Sequence, residues 1–193
     1  MRVGVFGGTF DPIHIGHLVA AQNALYAGSL DKVLFVVANL PWQKEGMREV
    51  TDARLRYLVV SEVLAEHPGL EPCELEIERG GLSYTVDTLL ELKHLHPGDE
   101  LYLVVGADAA SSMHTWERAE QLSAMANLIV VNRYGYPTPT DILDFGEPIS
   151  AEMPWLDISS TDLRDRFKND RPLEFLLPQE AILAVHKYGL YRD

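Results

Sequence analysis

Two histidines three residues apart, His14 and His17, follow closely on a glycine turn at Gly7-Gly8. Glycines let a backbone turn sharply and approach a ligand closely. The N-terminus of a following helix would offer N–H groups and the positive end of its dipole to an anion. Imidazole N–H groups placed there can donate hydrogen bonds to phosphate oxygens, more strongly as charge builds up in a transition state. The segment therefore predicts a phosphate-binding reaction centre.

This segment has two other interpretations. It could be a glycine-rich turn with two ordinary surface histidines, or it could bind a metal ion. Metal binding is less favoured because no third His, Cys or carboxylate stands at ligand spacing. The pattern is neither the dinucleotide-binding G-x-G-x-x-G fingerprint nor a Walker P-loop, since no Gly-Lys-Ser/Thr is present.

A second candidate phosphate site is the run ISSTDLR at residues 158–164. Ser159 or Ser160 can cap a short helix, and Arg164 lies one helical turn beyond Ser160, near the same face. A capped helix end with an Arg beside it can clamp a phosphate group. The alternative is a plain helix cap with a surface Arg.

Both segments carry a resemblance to a known family. The string GGTFDPIHIGHL at residues 7–18 resembles the start of nicotinate or nicotinamide mononucleotide adenylyltransferases, and its H-x-G-H pattern resembles the motif of the nucleotidyltransferase superfamily. The run at 158–164 is similar to their I-S-S-T-x-x-R motif, whose Ser and Arg contact the ATP phosphates. The resemblance implies that His14, His17 and Arg164 are catalytic. The ATP-binding set that it implies is Gly8, Thr9, Phe10, Gly16, Gly106, Asp108, Ile158, Ser159 and Ser160.

A third segment, ERGGLSYTVDT at residues 78–88, resembles the acceptor-binding segment of bacterial nicotinate mononucleotide adenylyltransferases. In that family the residue matching Thr85, with neighbouring amides, holds the nicotinate carboxylate, and a Trp matching Trp116 stacks on the pyridine ring. Taken alone, Thr85 could be a helix cap and Trp116 a core residue. Gln43 departs from the family pattern, which often has a His before the Lys. The acceptor-binding set implied by the resemblance is Lys44, Ser83, Tyr84, Thr85, Trp116 and Arg133.

These residues must be positioned by alternating strands and helices. Apolar runs predict buried strands at 2–6, 32–38, 100–105 and 128–131, and an alternating pattern predicts another at 74–78. Helices are predicted at 15–27, 51–67, 85–95, 116–125, 160–168 and 178–187, and loops at 39–50 and 134–150. The alternation predicts an α/β fold, a Rossmann-like doubly wound parallel sheet that binds ligands at the carboxyl ends of its strands. We expect a single domain over residues 1–193, with a short helical C-terminal part over about 158–193.

Composition narrows the partners and the location. The chain has 193 residues, 47% of them hydrophobic, which suffices for one globular domain. A net charge of −13 without any Lys/Arg run argues against nucleic acid as a partner. No apolar stretch reaches the roughly 20 residues of a membrane span, and the N-terminal apolar run is too short for a secretory signal. The single cysteine, Cys73, excludes an intrachain disulfide. We expect a cytoplasmic protein with no membrane partner, and a homo-oligomer is compatible with the sequence.

The resemblance implies one reaction in particular. It is adenylyl transfer from ATP to nicotinate mononucleotide, giving nicotinate adenine dinucleotide and pyrophosphate in NAD biosynthesis, with Mg²⁺ carried by the ATP phosphates. The alternatives are nicotinamide mononucleotide or another phosphorylated acceptor, cytidylyl transfer, and a nucleotide-binding sensor without turnover. A tRNA synthetase shares His-Ile-Gly-His, but we expect no anticodon domain in 193 residues, and a Lys-rich K-M-S-K-S loop is missing.

Overall fold

The apolar runs form the centre of a parallel sheet in the computed structural model, which describes residues 1–41, 50–133 and 142–192 apart from the side chains of residues 133 and 143. The strands are β1 (Arg2–Gly8), β2 (Lys32–Val37), β3 (Leu70–Cys73), β4 (Glu100–Gly106), β5 (Asn127–Arg133) and β6 (Ile149–Met153). Their order in the sheet is β3-β2-β1-β4-β5-β6, and every pairing is parallel. This confirms the predicted Rossmann-like doubly wound fold, with the reversal of strand order between β1 and β4.

Helices cover both faces of the sheet. They are α1 (Ile15–Ala27), α2 (Ala53–Leu64), α3 (Leu75–Arg79), α4 (Thr85–Leu95), α5 (Ala107–Ser112), α6 (Ser160–Lys168) and α7 (Gln179–Lys187). Successive strand residues point to opposite faces, so Phe35 lies in a first core together with residues of α1, α2, α6 and α7, whereas Val36 lies in a second core with residues of α4 and α5. Burial on both faces explains why the central strands are continuous apolar runs. Among the described residues, no helix is both long enough and apolar enough to cross a membrane.

The predicted strand at 74–78 is wrong, because this segment is the short helix α3. Leu75 and Ile77 are both buried, but so is Glu76 between them, which a half-buried strand would have turned outward. The N–H groups of Ile77 and Glu78 both donate to the carbonyl of Glu74, which closes a helical turn. The strand lies just before it, as the edge strand β3, where Pro72 is tolerated.

The predicted helix at 116–125 is also wrong. The helix in this region, α5, begins directly after β4, and 3₁₀ turns follow at Met113–Thr115 and Ala119–Gln121. The hydroxyl groups of Ser111, Ser112 and Thr115 bond to nearby backbone carbonyls, which competes with helix continuation. Arg118 has a φ of 49°, which a helix interior does not allow. Trp116 therefore has an extended backbone conformation and lies between two 3₁₀ turns.

A strand begins near the end of the segment 134–150 that is predicted as a loop. β6 begins at Ile149 and pairs with β5 at the edge of the sheet. Only Ala151 of this edge strand is fully buried. The strand therefore needs no apolar run, and the sequence pattern did not indicate it. The helices predicted at 15–27, 85–95 and 160–168 are confirmed with these bounds.

Candidate active site

The glycine turn at the end of β1 is shaped by the buried ring of Phe10. A Cβ on Gly8 would lie 2.7 Å from Phe10 Cζ, so this position requires glycine. Phe10 has a φ of 46° and is 2% exposed, and its ring packs edge-on against His17 with centroids 5.0 Å apart. The family resemblance implies a role for Phe10 in ATP binding, but its side chain is buried in the core beneath the glycine turn.

His14 and His17 lie together at the start of α1. Their rings stack with centroids 3.7 Å apart and an interplanar angle of 25°. The backbone N–H of His14, the N-cap residue, donates to His17 Nδ1 at 3.2 Å. A Cβ on Gly16 would come within 3.0 Å of the His14 ring, so Gly16 makes room for this stack. The N–H of Ile15 donates to the carbonyl of Leu176, so one N–H at this helix end is already occupied.

Burial determines the charge of His14. The residue is 7% exposed, and its Nδ1 has no hydrogen-bond partner within the described part of the chain. Burial lowers the pKa of His14 from 6.5 to about 4, because a cation is poorly solvated there. The ring is therefore neutral at pH 7 and offers a single N–H to a ligand.

The lowered pKa of His14 predicts acid-sensitive stability. Between pH 6.5 and pH 4 the unfolded chain binds more protons at this residue than the folded chain. The free energy of unfolding should therefore fall as the pH falls through this window, by up to about 3 kcal/mol. Urea unfolding of the wild type and of His14→Gln at pH 7, 6, 5 and 4.5 would measure this. The variant should lose less stability than the wild type, and parallel pH profiles would contradict the prediction.

The structure brings the second motif against the first. Ser160 Oγ donates to the carbonyl of Pro12 at 3.0 Å, and Arg164 Nη1 donates to the carbonyl of Asp11 at 2.7 Å. Ser159 caps α6 by accepting from the N–H of Asp162 at 3.2 Å. The helix end and its Arg thus lie beside the glycine turn, which assembles the two predicted phosphate-binding segments into one site.

Two residues of this site were not singled out from the sequence, Asp11 and Tyr191. Asp11 is 1% exposed, and its Oδ1 accepts from the hydroxyl of Tyr191 at 2.7 Å. Burial is the main reason why the pKa of Tyr191 is raised, and the charge of Asp11 adds to the effect. This hydrogen bond holds the C-terminal segment against the loop that contains Asp11. No local pattern in the sequence indicates this contact, because the two residues are 180 positions apart.

A cavity of about 300 Å³ opens beside the glycine turn, at the carboxyl ends of β1 and β4. The predicted residues that line it are Gly8, Thr9, Ser83, Thr85, Gly106 and Trp116. The cavity therefore joins residues of the predicted ATP set to residues of the predicted acceptor set. It lies where a doubly wound sheet is expected to bind ligands.

The acceptor side of the cavity is rich in hydrogen-bond donors. Thr85 is the first residue of α4, where the backbone N–H groups have no intrahelical acceptor. Trp116 is half-buried against the second core, and its Nε1 is buried without a partner among the described residues. Tyr84 does not line the cavity, since it packs against the second core. Donors of this kind suit an anionic group such as a carboxylate.

A buried acid in the cavity wall, Glu76, was missed from the sequence. Its Oε1 accepts from Thr88 Oγ1 at 2.5 Å, and the Arg79 guanidinium lies 3.9 Å away. Burial raises the pKa of Glu76, while hydrogen bonds from Ser83 and Thr88 and the charge of Arg79 oppose the rise. The alternating pattern placed Glu76 on an outer strand face, which hid its position.

The remaining predicted site residues have varied positions. Asp108 is exposed in the first turn of α5, at the carboxyl end of β4. Ile158 is half-buried against the first core. Arg133 ends β5, but its side chain lies outside the described residues, as does Lys44. The described part of the chain gathers no group of three His, Cys, Asp or Glu side chains that could hold a metal ion.

This fold and this site define a class, the nucleotidyltransferases. The family described as Cytidylyltransferase-like matches residues 5–166 of the chain. A Thermus thermophilus protein named "Probable nicotinate-nucleotide adenylyltransferase" is 43% identical over 192 residues, covering 100% of both chains. A Mycobacterium bovis protein of the same name is 42% identical over 196 residues, covering 98% of this chain and 91% of the relative. The chain therefore belongs to the cytidylyltransferase-like family and, within it, to the nicotinate-nucleotide adenylyltransferases.

Solved structures agree on the fold. A Plasmodium falciparum nicotinic acid mononucleotide adenylyltransferase complexed with NaAD has a TM-score of 0.81 at 20% identity, covering 98% of this chain and 97% of that one. At this identity the likeness shows the fold. Together, the matches confirm the family resemblance and the enzyme class that residues 7–18 and 158–164 predicted.

Proposed function

We propose that the protein transfers the adenylyl group of ATP to nicotinate mononucleotide, forming nicotinate adenine dinucleotide and pyrophosphate in the cytoplasm. The observation that carries the proposal is the cavity that joins the glycine turn to the pocket around Thr85 and Trp116. Curated relatives named for this activity support the proposal. So does a NaAD complex of the Plasmodium falciparum protein with the same fold.

The reaction needs positioning and charge neutralisation more than acid–base chemistry. A phosphate oxygen of the mononucleotide attacks the α-phosphorus of ATP. One P–O bond forms, the bond from the α-phosphorus to the bridging oxygen breaks, and pyrophosphate leaves. The attacking phosphate is already anionic near neutral pH. We assign His14, His17 and Arg164 to donate hydrogen bonds to the phosphates, since such donors contribute most as charge develops in the transition state.

Mg²⁺ enters this scheme as part of the MgATP substrate. It neutralises charge on the phosphates, as metal ions do in related phosphoryl transfer. The described residues contain no protein cage for it, so we assign no side chain to the metal. The chain's contribution is to hold the phosphates between the start of α1 and the start of α6.

The pocket chemistry favours the acid over the amide. The N–H groups at the start of α4 and the buried Nε1 of Trp116 are donors, which match a carboxylate. The neighbouring Glu76 carboxyl is itself engaged by Thr88. We therefore propose nicotinate mononucleotide, and not nicotinamide mononucleotide, as the preferred acceptor.

The test is release of pyrophosphate from ATP and Mg²⁺ with each acceptor in turn. We expect the enzyme to form dinucleotide from nicotinate mononucleotide. Its kcat/KM should be at least about tenfold above that for nicotinamide mononucleotide. Chromatography of the product and a reaction without acceptor provide the controls. Equal or higher kcat/KM with the amide would overturn the acceptor assignment. Nucleotide binding without any pyrophosphate release would indicate a sensor.

A further inference from the structure

Arg56 is a buried arginine that the proposed mechanism does not use. It lies on α2 and is 1% exposed. It precedes the buried residues Val59, Val60 and Val63 by three, four and seven positions, so it occupies the apolar face of the helix. A charge on this face requires a reason, because burying one without partners is costly. This placement was the signal in the sequence that could have identified it.

The Arg56 guanidinium donates to backbone carbonyls in three separate segments. Nη1 donates to the carbonyl of Thr9 at 2.7 Å, in the glycine turn that lines the cavity. Nη2 donates to the carbonyls of Ala38 and Asn39 at 2.6 and 3.2 Å, just after β2. Nε donates to the carbonyl of Thr51, ahead of α2, at 2.7 Å. One side chain thus ties the phosphate-binding turn to the segment after β2.

The segment after β2 is in turn tied to the acceptor pocket. The N–H of Asn39 donates to Ser83 Oγ at 2.8 Å, and the N–H of Ser83 donates to the carbonyl of Leu40 at 2.9 Å. Asn39 Nδ2 also donates to the carbonyl of Gly81 at 2.9 Å. Ser83 lines the cavity together with Thr9. A continuous chain of hydrogen bonds therefore runs from the ATP side of the cavity through Arg56 to its acceptor side.

We propose that Arg56 is a positioning residue that sets the spacing between the phosphate-binding turn at Thr9 and the acceptor wall at Ser83. The proposal rests on the proposed function, in which the two substrates must meet in line across this cavity. Because the transfer rate depends steeply on the alignment of the reacting atoms, loss of Arg56 lowers kcat more than it weakens the binding of either substrate alone.

The geometry requires a guanidinium. Its planar fork presents N–H donors in fixed directions, which lets one side chain reach three segments at once. A lysine ammonium is a single point with three donors and cannot span the same set of carbonyls. Arg56→Lys therefore keeps the buried charge while breaking the link between segments, which separates positioning from charge.

The experiment compares Arg56→Lys and Arg56→Ala with the matched control Arg54→Ala. Arg54 lies on the same helix, its side chain is 68% exposed, and its removal changes the net charge by as much as Arg56→Ala does, whereas Arg56→Lys changes no charge. We expect kcat per folded molecule to fall about 10- to 100-fold in Arg56→Lys, with the Kd of ATP and of the mononucleotide, each measured alone, changed less than about threefold. Arg54→Ala should retain wild-type kcat. If Arg56→Ala does not fold, the lysine variant decides the test.

Hydrogen–deuterium exchange provides a readout that does not depend on activity. In Arg56→Lys the amides of residues 38–40 and 81–83 should exchange faster than in the wild type, and in Arg54→Ala they should not. A lowered Tm with unchanged kcat per folded molecule would show a purely structural role and overturn the proposal, as would unchanged exchange at these amides. If the wild type itself does not turn over, the proposed function fails, and the exchange experiment still decides whether Arg56 links the two segments.

Discussion

Replacing His17 with Ala is expected to lower kcat about 10²- to 10³-fold while the protein remains folded. Losing one hydrogen-bond donor to a developing oxyanion costs about this much in other enzymes. His17 Nδ1 accepts the N–H of His14, which assigns the proton of the neutral ring to Nε2. His17 thus presents a donor of defined direction at the start of α1.

The position of this donor is set before any substrate arrives. The His17 ring is stacked on His14 at 3.7 Å and packed edge-on against Phe10 at 5.0 Å. Because two side chains and one backbone bond hold the ring, little reorganisation is needed when the transition state forms. This preorganisation is the reason to expect a loss in kcat larger than the loss in ATP affinity.

Steady-state kinetics of His17→Ala, together with its Tm, would measure the effect. His94→Ala is the matched control, since His94 is an exposed histidine on α4, away from the cavity. The control should have wild-type kcat. Near-normal turnover by His17→Ala would remove the role assigned to it, and equal losses in both variants would indicate a general effect of removing histidine.

Replacing Arg164 with Ala is expected to lower kcat/KM for ATP about 10²- to 10³-fold. Charge-assisted hydrogen bonds from a guanidinium to phosphate are among the stronger ones in proteins. The Arg164 guanidinium is held beside the glycine turn by the carbonyl of Asp11 at 2.7 Å and by Thr161 Oγ1 at 3.1 Å. With a net charge of −13 on the chain, a triphosphate depends on such local positive charge.

Arg166→Ala is the matched control for Arg164. Arg166 lies on the same helix, two residues further on, and is paired with Asp162 at 2.6 Å. Both variants change the net charge equally, so a field effect would weaken ATP binding in both. We expect the loss only in Arg164→Ala, and a smaller loss, about tenfold, in Arg164→Lys, which keeps the charge without the planar fork. Equal effects at the two positions would contradict a direct contact with ATP.

The parts of the fold that could be predicted are those with a strong local signal. The central strands are apolar runs because both faces of the sheet are covered, and α6 is marked by its Ser159 cap. The edge strands carried little signal: β3 contains Pro72, and β6 buries only Ala151. A five-residue segment such as α3 does not distinguish a period of 2 from one of 3.6.

The sequence alone determined the chemical types at the site and the faces they share. His14 and His17 fall on one side of a helix start because they are three residues apart, and one of the two serines Ser159 and Ser160 caps α6 because a hydroxyl there reaches a backbone N–H nearby. These are local consequences of spacing, which chain packing does not alter.

Only the tertiary structure decided how these groups act together. It places Arg164 against Asp11 across 153 positions and Ser160 against Pro12 across 148. It also makes His14 neutral through burial and gives Arg56 its carbonyl partners. Burial and long-range hydrogen bonds depend on which distant segments pack together, and local spacing does not determine that.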